Sequence, residues 1–316
     1  MKFKQLFFIG LLLCTGCSVI DKKITDTVTQ SYVTLNFAQG AGYSKKKQCL
    51  AHGCIDYLFF AAKKYGKSEQ YRQYDTQFEL RIDEQVYQTQ YNSFEHYQLF
   101  GSHYQGVAYL FPGFGVSNTT FWFYGQWLSD LGFDVVVLPG ASQITPFDFG
   151  LSTKEFALAI ADGKQPALVI GASLGFMAAL DFATFSHAKK LVGLAPIEDA
   201  RPGKLAINVM KTGWIPWYLK WLTVNQLTNS IEVLALNQQV LHHLHTHQER
   251  LAQYPQKRLL IKVNEDQVIG AAESDNLNLR DHETFYIEER HEVAASFPLT
   301  HVRQALYKFL KNEINQ

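Results

Sequence analysis

The sequence predicts an α/β fold, a mostly parallel sheet covered by helices on both faces. Three observations carry this. From residue 106 onward, short apolar runs alternate with segments of helical period. Several of the runs, such as Asp134–Leu138 with its Val135-Val136-Val137, are apolar without alternation, as strands buried on both sides are. Turn signals close them, Pro112-Gly113 after one and Pro139-Gly140 after another.

Composition agrees with a sizeable core. The 316 residues are 47% hydrophobic and 14% aromatic, which excludes a disordered or collagen-like chain. Lys plus Arg equals Asp plus Glu at 29 each, so net charge gives no reason to expect a nucleic-acid partner.

The first elements concern delivery. Lys2 and Lys4 precede an apolar stretch, Leu6 to Leu13. It is too short to span a bilayer, which takes about 20 residues, and fits the core of a signal peptide. Cys14-Thr15-Gly16-Cys17 follows. This resembles the lipobox of bacterial lipoproteins, although Cys14 stands where a branched aliphatic residue is usual. The resemblance implies a signal peptide over 1–16 and a mature N-terminus at Cys17. That cysteine would carry a diacylglyceryl group and an N-terminal acyl chain such as palmitate. The membrane partner would be met through this anchor. Ser18 after the cysteine implies the outer membrane, facing the periplasm.

Residues 17–76 read as a tether and lead-in. The run Lys45-Lys46-Lys47 reads as a solvated loop, and Ile55 to Tyr65 has helical character. Cys49 and Cys54 predict a disulfide around Ala51-His52-Gly53, since an oxidising compartment permits one. With His52 they would make only an incomplete metal site. The main domain is expected over 77–316. Phe78, Leu80 and Ile82 alternate with polar residues, a half-buried strand, and residues 85–91 read as its hairpin partner.

The remaining elements follow in order. Gly106–Phe111 reads as a strand and Thr119–Leu131 as an aromatic helix with Ser117 or Asn118 as its cap. After the Asp134 strand, Ser152-Thr153-Lys154-Glu155 fits a capping box and opens a helix to about Asp162. Ala167–Gly171, Leu191–Ala195, Arg258–Val263 and Thr284–Ile287 read as strands. Leu174–Phe185 and Pro298–Asn312 read as helices. Residues 197–256, with Trp214, Trp217, Trp221 and a helical stretch from Ile231 to Ala252, are long for a crossover. They are expected to form a helical cap or an irregular cover over a site.

One motif carries chemistry. Gly171-Ala172-Ser173-Leu174-Gly175 is G-x-S-x-G, set between the apolar run Ala167–Ile170 and the helical Phe176–Leu180. Strand, turn and helix are the setting in which such a serine is held above a sheet, over the positive end of the following helix.

Here the chain resembles the α/β-hydrolase family, from about Gln77 to Asn312. The resemblance implies that family's fold, with a helical cap insertion at about 197–256, and Ser173 as nucleophile. Pro112-Gly113-Phe114-Gly115 matches the family's oxyanion turn, usually His-Gly-x-Gly, with proline in place of the histidine. By that match the N–H groups of Phe114 and Leu174 would bind the oxyanion. The family's chain order places an acid and then a histidine downstream. Asn264-Glu265-Asp266-Gln267-Val268 marks Asp266 as the acid, with Glu265 a rival and Asp199 at the family's alternative position. His291 follows the last strand and is the expected base. His301 falls on a helix away from the apolar stripe of Leu299, Val302, Leu306 and Phe309, and His282 precedes the strand.

Under this resemblance the function is hydrolysis of a small acyl substrate, an ester above all, through an acyl-enzyme and without a cofactor. An acyltransferase, or a non-catalytic lipoprotein using the fold for binding, are the alternatives. The residues His242, His243, His245 and His247 have no carboxylate or cysteine placed by sequence to complete a metal site, and they read as a solvated helix. No metal is expected.

Overall fold

A computed structural model of the chain describes residues 42–63, 75–82, 85–92, 104–144, 147–211, 223–235, 238–264, 266, 268 and 282–311. The signal segment, Cys17, the three tryptophans of the insertion and Glu265 lie outside the described residues.

The sheet begins earlier than the sequence suggests. Strands β1 (Ser44–Leu50) and β2 (Gly53–Phe60) form an antiparallel hairpin, and β2 then pairs antiparallel with β6 (Asp134–Val137). Ile55–Phe60 is therefore strand, not helix. From Tyr57 on its apolar residues are continuous, because Ile55 and Tyr57 pack on one sheet face while Leu58 and Phe60 pack on the other. A short apolar run of this kind carries no period that separates strand from helix. Residues 44–60 of the expected lead-in thus belong to the main sheet. Lys45, Lys46 and Lys47 lie on the edge strand β1, not in a loop. Charged side chains there discourage a second chain from pairing onto the open edge. Cys49 and Cys54 are cross-strand partners and form the expected disulfide.

β3 (Asp75–Ile82) and β4 (Gln85–Asn92) make the expected hairpin, as a separate two-stranded sheet. The main sheet resumes with β5 (Val107–Phe111), β6, β7 (Leu168–Ala172), β8 (Lys190–Leu194), β9 (Lys257–Val263) and β10 (His282–Ile287). The spatial order is β1-β2-β6-β5-β7-β8-β9-β10, and every pairing from β6 to β10 is parallel. Strand residues alternate between two cores: Leu168, Ile170 and Ala172 face one, Val169 the other. The first core is closed by α1 (Trp122–Asp130), α7 (His291–Ser296) and α8 (Thr300–Lys311), the second by α2 (Leu151–Ala161) and α3 (Gly175–Phe185).

Helix α2 is capped differently from the expected box. The Asp148 carboxylate accepts from the backbone N–H of Gly150 (3.1 Å) and Ser152 (2.7 Å) and from the Ser152 hydroxyl. A carboxylate satisfies the orphan N–H groups and suits the positive helix end. Ser152 becomes a donor to the cap instead of the cap.

The described part of the insertion is helical. It contains α4 (Pro202–Lys211), α5 (Val224–Leu234) and α6 (Gln238–Gln253). The stretch expected as one helix is split between α5 and α6. α5 opens with a capping box, Thr223 with Gln226. Two buried cations close helices at their carbonyl ends. Arg258 Nη1 donates to Leu251 O and Tyr254 O (2.6 and 3.0 Å), and Lys190 Nζ to Phe309 O and Leu310 O (3.2 and 2.9 Å). Each cation meets several carbonyl oxygens left over at a helix end, which is how a buried charge is tolerated.

Candidate active site

The carboxyl ends of parallel strands are where an open α/β sheet collects its functional groups. Ser173 follows β7 in the middle of the sheet, at φ 47°. A non-glycine residue in left-handed backbone costs about 1–3 kcal/mol. The flanking glycines show what that turn requires. A Cβ on Gly171 would lie 2.5 Å from both Ala179 Cβ and Phe176 Cα, and one on Gly175 2.3 Å from the Pro112 carbonyl oxygen. The turn is fixed by its backbone: Ser173 N–H donates to Leu194 O (2.9 Å), and Ser173 O accepts from Phe176 N (3.1 Å) and Ile197 N (3.3 Å).

His291 is the first residue of α7, directly after the Glu288–Arg290 turn that leaves β10. Its Nε2 lies 2.8 Å from Ser173 Oγ and its Nδ1 2.8 Å from Asp266 Oδ2. All three side chains are buried. Because a carboxylate only accepts, Nδ1 carries the proton and Nε2 is left to accept from the serine hydroxyl. Asp266, beyond β9, is itself held by Val268 N–H, which donates to its other oxygen at 2.8 Å. The structure thus brings together Ser173, His291 and Asp266 across 118 and 25 residues of sequence.

The rival residues are elsewhere. Asp199 follows β8 but is forked onto the Arg201 guanidinium, 2.9 and 3.1 Å from its Nε. Burial pushes that carboxyl up, and the bonds and charge of Arg201 more than offset it, leaving it below the usual range. His301 lies in the first turn of α8, half-buried, while Val302, Leu306 and Phe309 fill the core. His282 opens β10 at the opposite end of the strand from His291.

The Pro112–Gly115 turn lies against the serine: a Cβ on Gly113 would meet Ser173 Cβ at 3.1 Å. Gly115 N–H donates to Ser142 Oγ at 3.2 Å. The N–H groups of Phe114 and Leu174 donate to no other described residue.

In sequence, the chain matches no family model and no curated protein. In structure it has counterparts of the same fold. A Pyrococcus furiosus esterase superposes with a TM-score of 0.54 at 14% identity, over 90% of this chain and 97% of the esterase. A membrane phospholipase A, described as a bacterial virulence factor, superposes with a TM-score of 0.50 at 14% identity, over 99% of this chain and 100% of the phospholipase. Together with the strand order, these matches decide the fold. The chain has the α/β-hydrolase fold.

Within that hydrolase fold, the wall beside the serine is apolar. Phe114 is 41% exposed and packs edge-on against Phe147 (5.8 Å between centroids), which in turn contacts Phe149 (4.8 Å). Phe147, Leu174, Met177 and Ile197 join Leu205 of α4, Leu227 of α5 and Leu244 of α6 in one cluster. The cap is therefore continuous with the hydrophobic surface around Ser173.

The histidine-rich helix is not simply a solvated one. His242 and His245 are exposed, but His243 and His247 are buried. His243 Nδ1 lies 3.1 Å from Asp181 of α3, the carboxylate that also binds Arg250. His247 Nε2 donates to Ile197 O at 2.9 Å. The signal was present in the helical period, since Val240, His243, Leu244, His247 and Leu251 form one buried stripe. Among the described residues no group of three or more His, Cys, Asp or Glu is placed to hold a metal ion.

Proposed function

We propose that the protein is a serine hydrolase that cleaves carboxylic esters through an acyl-enzyme on Ser173. The observation that carries this is the Ser173–His291–Asp266 relay, two contacts of 2.8 Å on a strained turn. In the first step Oγ bonds to the acyl carbon while its proton passes to His291 Nε2. Asp266 orients the imidazole and stabilises its cation. The carbonyl electron pair moves onto oxygen, where the N–H groups of Phe114 and Leu174 would receive it. Each such donor is worth about 3–4 kcal/mol in the transition state. Collapse expels the alcohol, which takes the proton from Nε2, and water releases the acid by the same steps. The Phe114–Phe147 wall and the cap cluster favour an apolar acyl group.

We further propose, from the lipobox alone, that Cys17 carries the lipid anchor and that the enzyme works at the periplasmic face of the outer membrane. No helix among the described residues is long and apolar enough to cross a membrane.

A fluorophosphonate probe tests the chemistry. Labelling of the folded protein that is lost in Ser173→Ala is expected, with turnover of p-nitrophenyl esters rising from acetyl to medium acyl lengths. Absence of labelling sinks the reading. Metabolic incorporation of alkynyl palmitate, lost in Cys17→Ala, tests the anchor separately.

A further inference from the structure

Ser173 is not the only strained residue at the elbow. Ala195, which opens the turn after β8, has φ 43°. Left-handed backbone at an alanine persists only where neighbours hold it. The two strained residues are joined. Ser173 N–H donates to Leu194 O, and Ile197 N–H donates back to Ser173 O. Ala195 N–H is taken by Ile261 O at 2.8 Å. The far end of the turn, the Ile197 carbonyl, is held by a side chain from the cap.

That side chain is His247. It is fully buried on α6, and its Nε2 lies 2.9 Å from Ile197 O. Its ring stands edge-on to Phe176, 6.1 Å between centroids, and Phe176 N–H donates to the same Ser173 carbonyl that Ile197 serves. Nδ1 is buried without a hydrogen-bond partner. A proton there would have no acceptor, so the proton is on Nε2 and points at Ile197.

We propose that His247 is a positioning residue for the nucleophile. It fixes the Ala195–Ile197 turn from the cap, and through Ile197 it fixes the backbone of Ser173. This rests on the reading of Ser173 as the nucleophile. α6 is itself pinned to α3 by the Asp181 carboxylate with Arg250 and His243, so the donor sits on a helix anchored to the core. A buried histidine that only filled space would do so equally well as an aromatic hydrocarbon. This one spends its single N–H on the turn beside the nucleophile.

The test compares His247→Phe, which keeps a ring and loses the donor, with His247→Gln, whose amide N–H replaces Nε2. The readouts are the rate of fluorophosphonate labelling and kcat and KM on a p-nitrophenyl ester, below the melting temperature of each variant. His247→Phe should label about tenfold to a hundredfold more slowly and lose kcat alike, the scale of a displaced reacting group, with KM held within about twofold. His247→Gln should recover to within about threefold of wild type. Should the phenylalanine variant not fold, His247→Leu is read the same way. Wild-type rates in a variant without the donor overturn the proposal, as does a glutamine variant as slow as the phenylalanine one. If the wild type itself does not label at Ser173, the hydrolase reading falls and takes this one with it. If it labels and His247→Phe keeps pace, this one alone falls.

Discussion

A Cβ at Gly175 would sit 2.3 Å from the carbonyl oxygen of Pro112, so helix α3 and the turn after β5 touch backbone to backbone. The turn that holds the serine and the turn that presents Phe114 N–H are one rigid contact. Gly175→Ala cannot be absorbed by a side-chain rotation, because the colliding atom is main chain. It should cost about 1–3 kcal/mol of stability, read by urea unfolding. It should also slow fluorophosphonate labelling by at least about tenfold, the scale of misplaced reacting groups.

Ser173 holds φ 47°, so its replacement separates strain from chemistry. Ser173→Gly removes about 1–3 kcal/mol of strain and adds about 0.5–1 kcal/mol of chain entropy cost. The variant should be inactive and at least as stable as the native protein. A drop in its thermal midpoint would contradict the strained-elbow account.

The assignment of acid and base makes a paired prediction. Asp266→Asn should lower kcat by about 10³–10⁴, since an amide leaves the His291 ring in the wrong tautomer. Asp199→Asn and His301→Ala should keep most of the activity, because neither side chain bonds to His291. Steady-state kinetics on a p-nitrophenyl ester distinguishes these outcomes.

The buried pair in α6 predicts an acid limit. Burial foremost, with the neighbouring charges of His247, Lys154 and His242, holds His243 down to about 3 from its ordinary 6.5. The Asp181 carboxylate, 3.1 Å from His243 Nδ1 and shared with Arg250, pulls the other way and narrows the effect at this residue. Burial holds His247 down to about 4, against the opposing pull of the Ile197 carbonyl and Asp199. The unfolded chain therefore binds protons below about pH 6.5 that the folded chain refuses. Their contribution is whole above that value and is lost as pH falls toward 4 and then 3. The urea midpoint should drop from pH 7 to pH 5, and replacing both histidines with glutamine should flatten the drop.

Reduction of Cys49–Cys54 should lower stability by only about 2 kcal/mol, because the closed loop is short. Unfolding with and without a reductant measures it.

The parallel part of the fold was legible because strands buried on both faces are written as plain apolar runs between turn residues, as in Val135–Val137 and Leu168–Ile170. The Ser173 turn was legible because glycines at 171 and 175 are required by contacts that no other residue fits. β2 was not, since Ile55–Phe60 shows no alternation when two cores share its side chains. The Asp148 cap is hidden in the sequence because a carboxylate two residues ahead of Gly150 competes with a serine motif that looks complete. The burial of His243 and His247 runs against their residue type, although their helical spacing to Leu244 and Leu251 marks the buried side.

The strand that delivers His291 has a further consequence. Among the described residues β10 is an end strand of the main sheet and pairs with β9 alone, whereas the Ser173 strand β7 is enclosed by β5 and β8. Peripheral strands open at lower free energy than central ones. Fraying at that rim would carry the imidazole away from a serine still locked in place. Heat should then silence the protein some degrees before it melts, and cooling from that interval should restore it without refolding.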